Sequence, residues 1–462
     1  MGEADRAPAT AWIFLAALTV FLWGRQEDYW SDAKFMILWI ENGRWLFYHL
    51  AYLPLGQIAR LTLGRMLAWD AEETLFIVSA ASGALAVALF YRACGRAGIH
   101  GWTRLLATAV LGTAPVVWFY ATAIEVHIVQ MAAASGGLLW GVEVWRSRNF
   151  VWSGWAPPCI LLAMAGTHLT GLVWTPALFF LSWKGVEGGR ARVLSCLGVF
   201  SVAAILWIVG RRSHTASASI DIATSSLEVP WSARLFLREF VRPAGFIHAG
   251  LTLGLLWQIL RHPRTLRTIP VGVSLILFAS FLPFAFTVDV FERGAYFLSL
   301  LPIAVFWIAW WARELPSAPT TIALGATAIL QCQAARAEIE RWQDVVVPSW
   351  LAELDSRTHE RAVFITLDRA AAGVVSRHTR MLAFAPRPRS SVDLSDPGLF
   401  EKALRFVAAR SRRGASIILT TDVIRSTYPP LQHFREGLND RLGTPTTDPE
   451  GRYVLYLPHE GG

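Results

Sequence analysis

Charge is scarce in this chain. Of its 462 residues only 16% are Asp, Glu, Lys or Arg, against about 25% in a soluble domain, and 54% are hydrophobic. That deficit, with repeated long apolar runs, excludes an ordinary soluble domain and implies a polytopic membrane protein. Cysteine is scarce too. Cys94, Cys159, Cys196 and Cys332 are scattered, mostly in or beside apolar runs. They show neither metal-ligand spacing nor a disulfide framework. No small-residue cleavage site follows the first apolar run, Ala11 to Gly24, so it reads as an uncleaved first span. Internal repeats and matching broken spans, which would mark a secondary transporter, are not evident.

Tryptophan, by contrast, is abundant at 22 residues, as expected of side chains that favour the membrane interface. The net charge of +8 reflects Arg in short cytoplasmic loops rather than nucleic-acid binding. Windows of about 19 residues predict about eleven spans. They lie near 10–24, 74–94, 104–122, 127–145, 151–166, 169–183, 193–210, 246–260, 268–287, 295–311 and 318–334. The short fifth and sixth are alternatively one broken element re-entering at His168.

Arg92, Arg96 and Arg104, Arg146 and Arg148, Lys184, Arg190 and Arg192, Arg261, Arg264 and Arg267, and Arg313 lie in or beside alternate short gaps. Those gaps are expected to be cytoplasmic. Loop 25–73, the Glu125–His127 turn, Thr167-His168, loop 211–245 and loop 288–294 then face outside, and so does the C-terminal tail. Segments 34–68 and 228–242 intersperse aromatic and aliphatic residues with Arg and are expected to form helices lying in the interface.

After about residue 335 charged residues become frequent. Residues 362–367, 416–420 and 453–457 read as buried strands, and 399–410 as an amphipathic helix. The expected organisation is an all-α polytopic domain over 1–334 and a small extracytoplasmic α/β domain over 335–462. The latter has no Gly-rich phosphate loop and reads as a support or acceptor-recognition domain.

Ionisable groups at membrane depth are costly and tend to be functional. Asp32 stands in Tyr29-Trp30-Ser31-Asp32-Ala33-Lys34-Phe35, just after the first span. A membrane enzyme could place a base there, with Glu27 and Asp28 as rivals. Glu125-Val126-His127, Thr167-His168 and Glu292-Arg293 fall on the same side. Singly, each has an ordinary reading as a loop residue, an interface histidine or a local ion pair. Their coincidence on one side favours a site.

Four segments carry a family resemblance. They are Asp32; His49-Leu50-Ala51-Tyr52-Leu53-Pro54-Leu55-Gly56; Trp118-Phe119-Tyr120-Ala121-Thr122-Ala123-Ile124-Glu125-Val126-His127; and Gly166-Thr167-His168-Leu169-Thr170 before Pro176. In order and spacing, over roughly residues 10–180, they resemble the GT-C superfamily of polytopic glycosyltransferases that use polyprenyl-phosphate sugars, and more narrowly its protein O-mannosyltransferase-like members. The family's second acid after the first-loop Asp is replaced by Ala33 and Lys34, its Pro-Pro-Gly is missing, and His127 and Thr167 stand for its Tyr and Asn.

The resemblance implies a transferase of the plasma (inner) membrane. It would move a sugar, a hexose such as mannose, from a polyprenyl-phosphate donor to a hydroxyl on a protein or glycan acceptor. Asp32 would be the catalytic base. His49, Tyr52, Glu125, His127, His168, Arg293 and Tyr296 would bind substrate, Arg293 first among the groups facing the phosphate. No cofactor is expected; a divalent cation held by Glu125 and His127 is the open alternative. A polytopic transporter and an inactive lipid-binding or assembly subunit are the competing classes.

Overall fold

The computed structural model describes residues 6–26, 31–41, 49–147, 154–212, 269–287, 295–315 and 317–346. In the C-terminal part it describes 362–366, 381–384, 397–426, 428–447 and 453–457, with a few isolated positions. The chain divides into two units. One comprises Met1–Gln26 and Met36–Ile339, the other Glu27–Phe35 and Glu340–Gly462.

The first unit is helical. Helix α1 (Arg6–Trp23) precedes α2 (Ser31–Glu41), which belongs to this unit from Met36 onward, and α3 (Tyr52–Ala59) continues through a π turn at Arg60–Gly64 as far as Leu67. The outer side of this last stretch is apolar and open, with Ile58 61% and Met66 72% exposed beside Arg60 and Arg65, the pattern of an interfacial helix. The segment at 228–242 and the span at 246–260 lie outside the described residues.

Helix α4 (Ala71–Arg96) opens with a capping box. Asp70 accepts from the Glu73 amide at 2.8 Å, and Glu73 accepts from the Asp70 amide at 3.3 Å. Helices α5 (Gly101–Gly112) and α6 (Pro115–Ala121) meet at 62°. Pro115 supplies no N–H and forces Ala114 into an extended conformation, so one helix cannot run through. Helix α7 (Val126–Ser147) packs most extensively on α4, and α4 also packs on α1.

Helix α8 (Ala156–Thr167) stops at His168, whose backbone is extended at φ −151°, ψ 137°. A 3₁₀ segment, Leu169–Trp174, leads into α9 (Thr175–Gly185). The expected fifth and sixth spans are thus two helices separated by a break at His168. Helices α10 (Gly189–Arg212), α11 (Ile269–Thr287), α12 (Leu301–Ala312, entered through the 3₁₀ segment Ala295–Leu300) and α13 (Ser317–Val346) complete the unit.

Among the described residues, three helical stretches are long and apolar enough to cross a membrane: Ala71–Arg96, Gly189–Val209 and Ala295–Ala312. The bent pair α5–α6 would make a fourth. Of the expected spans, the one near 104–122 is bent before Pro115 and those near 151–166 and 169–183 are shorter helices divided at His168, while the one near 246–260 lies outside the described residues.

The second unit holds a five-stranded sheet in the order β2-β1-β3-β5-β4. Strand β1 (Val363–Ile365) pairs in parallel with β2 (Leu382–Phe384) and β3 (Ile417–Thr420). Strand β3 pairs antiparallel with β5 (Tyr453–Tyr456), which pairs with β4 (Thr446–Thr447). Helices α14 (Pro397–Ser411) and α15 (Pro429–Leu442) contribute Leu404, Val407, Phe434 and Leu438 to one core with Val363, Ile365, Ile417 and Leu419. Val375 and Met381 join Phe364 and Ile418 in a second. Both faces of β1 and β3 are covered, hence their unbroken apolar runs. Strands β1, β3 and β5 and helix α14 occupy expected segments; β2, β4 and α15 were not anticipated.

Candidate active site

The break at His168 organises the site. The last carbonyls of a helix have no partner within it, and here two are taken up from the first loop. Gly166 O accepts from the Ala51 amide at 2.7 Å, and Thr167 O accepts from His49 Nδ1 at 3.2 Å. A carbonyl can only accept, so His49 carries a proton on Nδ1. The approach behind His168 is close. A Cβ on Gly171 would lie 2.5 Å from both Ala165 N and the Met164 carbonyl carbon. Glycine alone lets the 3₁₀ turn fold back against α8.

Helix α7 brings the next groups. His127 and Gln130 stand three residues apart on it and therefore on one face. The His127 ring lies 4.4 Å from that of His168 and 5.3 Å from that of Tyr296, centroid to centroid. The Tyr296 ring is 5.7 Å from that of His168, and the His49 ring is 5.8 Å from His168 and 6.5 Å from Tyr52. Five of the expected residues, His49, Tyr52, His127, His168 and Tyr296, thus form one aromatic cluster drawn from four places in the chain.

Glu125 adjoins it at the start of α7. Its Oε1 accepts from the Val126 amide at 2.7 Å, and Ser79 Oγ receives the Glu125 amide at 3.1 Å. Gln26, just after α1, ties the other side of this turn. Its Nε2 donates to Phe119 O at 2.6 Å and Thr122 Oγ1 at 2.8 Å.

The cluster is almost closed to solvent, and this sets its charge. Burial first, then the neighbouring His127 and His49, holds the His168 pKa well below the ordinary histidine range. The ring is neutral at physiological pH. Burial first, with Glu125 nearby adding to it, raises the Tyr52 phenol far above its usual range. Among the described residues no three His, Cys, Asp or Glu side chains converge as metal ligands.

Asp32 falls on the first turn of α2, within the second unit, and its side chain lies outside the described residues. Arg293 and Glu292 lie outside them as well. Gln130 was not anticipated as a site residue. The available signal was the one amide of α7, three residues after His127 and so on the same face.

Near the cluster is a small apolar recess, open on one side, with a cavity volume of about 50 Å³, lined among others by Gly137, Gly141, Trp174, Ser274, Phe306 and Trp307. Trp174 Nε1 donates to Ser299 Oγ at 3.1 Å and Trp307 Nε1 to Ser274 Oγ at 2.7 Å. Both indole N–H groups are thereby satisfied within the wall, and the indoles contribute carbon to the recess. Trp174 ends the 3₁₀ segment that begins beside His168.

No family model matches the sequence, and no curated protein matches it. Solved structures do. ArnT from Cupriavidus metallidurans, bound to undecaprenyl phosphate, matches at a TM-score of 0.60 with 12% identity, over 100% of this chain and 99% of that one. The archaeal oligosaccharyltransferase AglB from Archaeoglobus fulgidus, in complex with an inhibitory peptide and a dolichol-phosphate, matches at 0.57 with 10% identity, over 100% of this chain and 75% of that one. The apo form of ArnT matches at 0.54 with 12% identity, over 97% of this chain and 98% of that one. At such identities the likeness speaks for architecture, and the architecture of this chain is the GT-C membrane fold of ArnT and AglB.

Proposed function

We propose that this chain is a multi-pass membrane glycosyltransferase that takes a sugar from a polyprenyl-phosphate donor and passes it to a hydroxyl acceptor on the extracytoplasmic side of the plasma membrane. The observation that carries the reading is the convergence of His49, His127, His168 and Tyr296 at the broken end of α8, within a fold that ArnT shares in a structure bound to undecaprenyl phosphate.

In this reaction Asp32 takes the proton of the acceptor hydroxyl as that oxygen attacks the anomeric carbon. The bond from that carbon to the phosphate oxygen breaks, and the lipid phosphate leaves as the anion. General base catalysis of this kind is worth about 10²–10⁴-fold. Arg293 would face the phosphate, as a guanidinium is suited to bidentate phosphate binding. His49, Tyr52, Glu125, His127, His168 and Tyr296 would orient the donor and the attacking hydroxyl. The apolar recess beside Trp174 would take isoprenoid units of the donor. A hexose, mannose among others, is the sugar this reading carries, with a protein or glycan as acceptor. The C-terminal α/β unit would stand outside and support or recognise that acceptor. The reaction would proceed without a cofactor; a divalent cation held by Glu125 and His127 is the alternative, and chelator sensitivity of turnover decides between them.

The test is turnover. Purified protein in liposomes, given polyprenyl-phosphate mannose labelled in the sugar and an extract of protein and glycan acceptors, should release polyprenyl phosphate and label an acceptor. Binding of polyprenyl phosphate without any turnover would favour an inactive lipid-binding subunit. Solute uptake by the liposomes without transfer would favour a transporter.

A further inference from the structure

Gln130 is a buried amide, 1% exposed, on α7. Its Nε2 lies 3.3 Å from Met164 O, 3.2 Å from His168 O and 3.2 Å from Thr170 Oγ1. Two of those acceptors are main-chain carbonyls at the break in α8. They fix the amide, because the flipped orientation would set Oε1 against two carbonyl oxygens. Thr170 Oγ1 lies within reach of both ends of this amide, 3.2 Å from Nε2 and 3.4 Å from Oε1. It lies 2.9 Å from His168 Nδ1. The Thr170 amide is 3.3 Å from the same nitrogen. A main-chain N–H can only donate, so His168 Nδ1 bears a lone pair, and the proton of the neutral ring is on Nε2. His49, whose Nδ1 donates to Thr167 O, is of the opposite kind. The two rings, 5.8 Å apart, are not interchangeable.

We infer that Gln130 is a positioning residue: by tying down the His168–Thr170 turn it keeps the Thr170 amide and hydroxyl on His168 Nδ1, which holds the ring with its proton on Nε2 and so makes His168 a hydrogen-bond donor to the donor lipid's phosphate. The tautomer follows from the hydrogen bonds alone; the phosphate as its acceptor rests on the function proposed above. A ring protonated on Nε2 offers no lone pair there, so His168 serves neither as the base nor as a metal ligand through that atom. An N–H facing an anionic oxygen is worth more than a neutral pair.

Two measurements test this. The first is nitrogen NMR of the full chain labelled at histidine, with His168 assigned by difference from His168→Gln. The expected wild-type signature is a bare Nδ1 and a protonated Nε2. Gln130→Leu and Thr170→Val should each yield a mixture of tautomers, and Thr170→Ser should keep the wild-type signature. A protonated Nδ1 in the wild type, or an unchanged tautomer in both Gln130→Leu and Thr170→Val, overturns the inference.

The second is binding of undecaprenyl phosphate. His168→Gln and Gln130→Leu should each weaken it about tenfold, and the double variant should be no weaker than either alone, because both act through one contact. Multiplicative losses would mean that Gln130 acts elsewhere and would overturn it. Should Gln130→Leu fail to fold, Thr170→Val against Thr170→Ser in the same two measurements carries the test. A wild type that shows the expected tautomer but binds no undecaprenyl phosphate would sink the proposed function and the phosphate as acceptor, leaving the Gln130–Thr170–His168 arrangement standing.

Discussion

The imidazoles of His127 and His168 lie 4.4 Å apart, centroid to centroid, at an interplanar angle of 50°. One comes from the first turn of a long helix and the other from the break between two. Two cationic rings could not share so small a buried volume at low cost. Neutrality of at least one is therefore part of the fold, and it has a consequence for stability.

Stability should fall with acid. The His168 pKa in the folded chain is depressed below its ordinary 6.5. Below about pH 6.5 the unfolded chain binds a proton that the folded chain refuses, so the folded state loses stability as pH falls toward the folded pKa and is fully stable on this account above pH 6.5. The slope is at most about 1.4 kcal/mol per pH unit for one group. Thermal unfolding in detergent between pH 7.5 and 5 should show the decline, and His168→Gln should flatten it. An equal decline in the variant would assign the effect to other groups, His49 and His127 first.

Replacing Asp32 by Asn keeps the shape of the side chain and removes the proton acceptor. The variant should insert and bind undecaprenyl phosphate as the wild type does, yet release no polyprenyl phosphate from the labelled donor. Wild-type turnover in Asp32→Asn would pass the role of base to Glu27 or Asp28, each then tested by the same substitution.

Arg293→Ala separates a phosphate ligand from a loop strut. Two unit charges about 4 Å apart near a protein surface attract by roughly 4 kcal/mol, whereas a typical exposed ion pair contributes about 0–1 kcal/mol. Donor affinity should therefore drop well beyond tenfold while the melting temperature changes little. Lost thermal stability with unchanged donor affinity would make Arg293 a partner of Glu292 or Asp289 instead.

A side chain at Gly141 should plug the apolar recess. Gly141 lines it, and a Cβ there would meet no heavy atom within 4 Å. Gly141→Leu should leave the fold intact, with a melting temperature equal to or above the wild type because glycine weakens a helix by about 1 kcal/mol. It should also weaken undecaprenyl phosphate binding. Unchanged affinity would place the isoprenoid chain elsewhere.

Gly171→Ala presents the opposite case. Its Cβ would press on the main chain of Met164 and Ala165 at 2.5 Å, and backbone does not yield as a side chain can. Overpacking of this kind costs roughly 1–3 kcal/mol. The variant should melt earlier and, because the strain falls on the break that presents His168, bind undecaprenyl phosphate less tightly. A stable variant with wild-type binding would show that the break has slack.

The class of this protein, its apolar runs and the polar gap at Thr167-His168 were legible in the order of its amino acids. Each of these is set by neighbours in the chain. Composition decides between water and lipid, and runs of apolar residues set approximate helix positions, but the run 104–122 reads as one span and only the structure shows it divided before Pro115. The strands β1, β3 and β5 were legible for the same local reason, as short unbroken apolar runs. The edge strands β2 and β4 were not, because only pairing with a neighbour makes so short a segment a strand.

What surrounds His168 was set by packing between distant parts of the chain. His49 reaches Thr167 O across 118 positions, Gln130 reaches His168 O across 38, and Trp174 reaches Ser299 across 125. No periodicity in the sequence encodes such pairings. They arise because the carbonyls left open where a helix ends must find donors once buried, and packing determines which donors stand within about 3 Å of them.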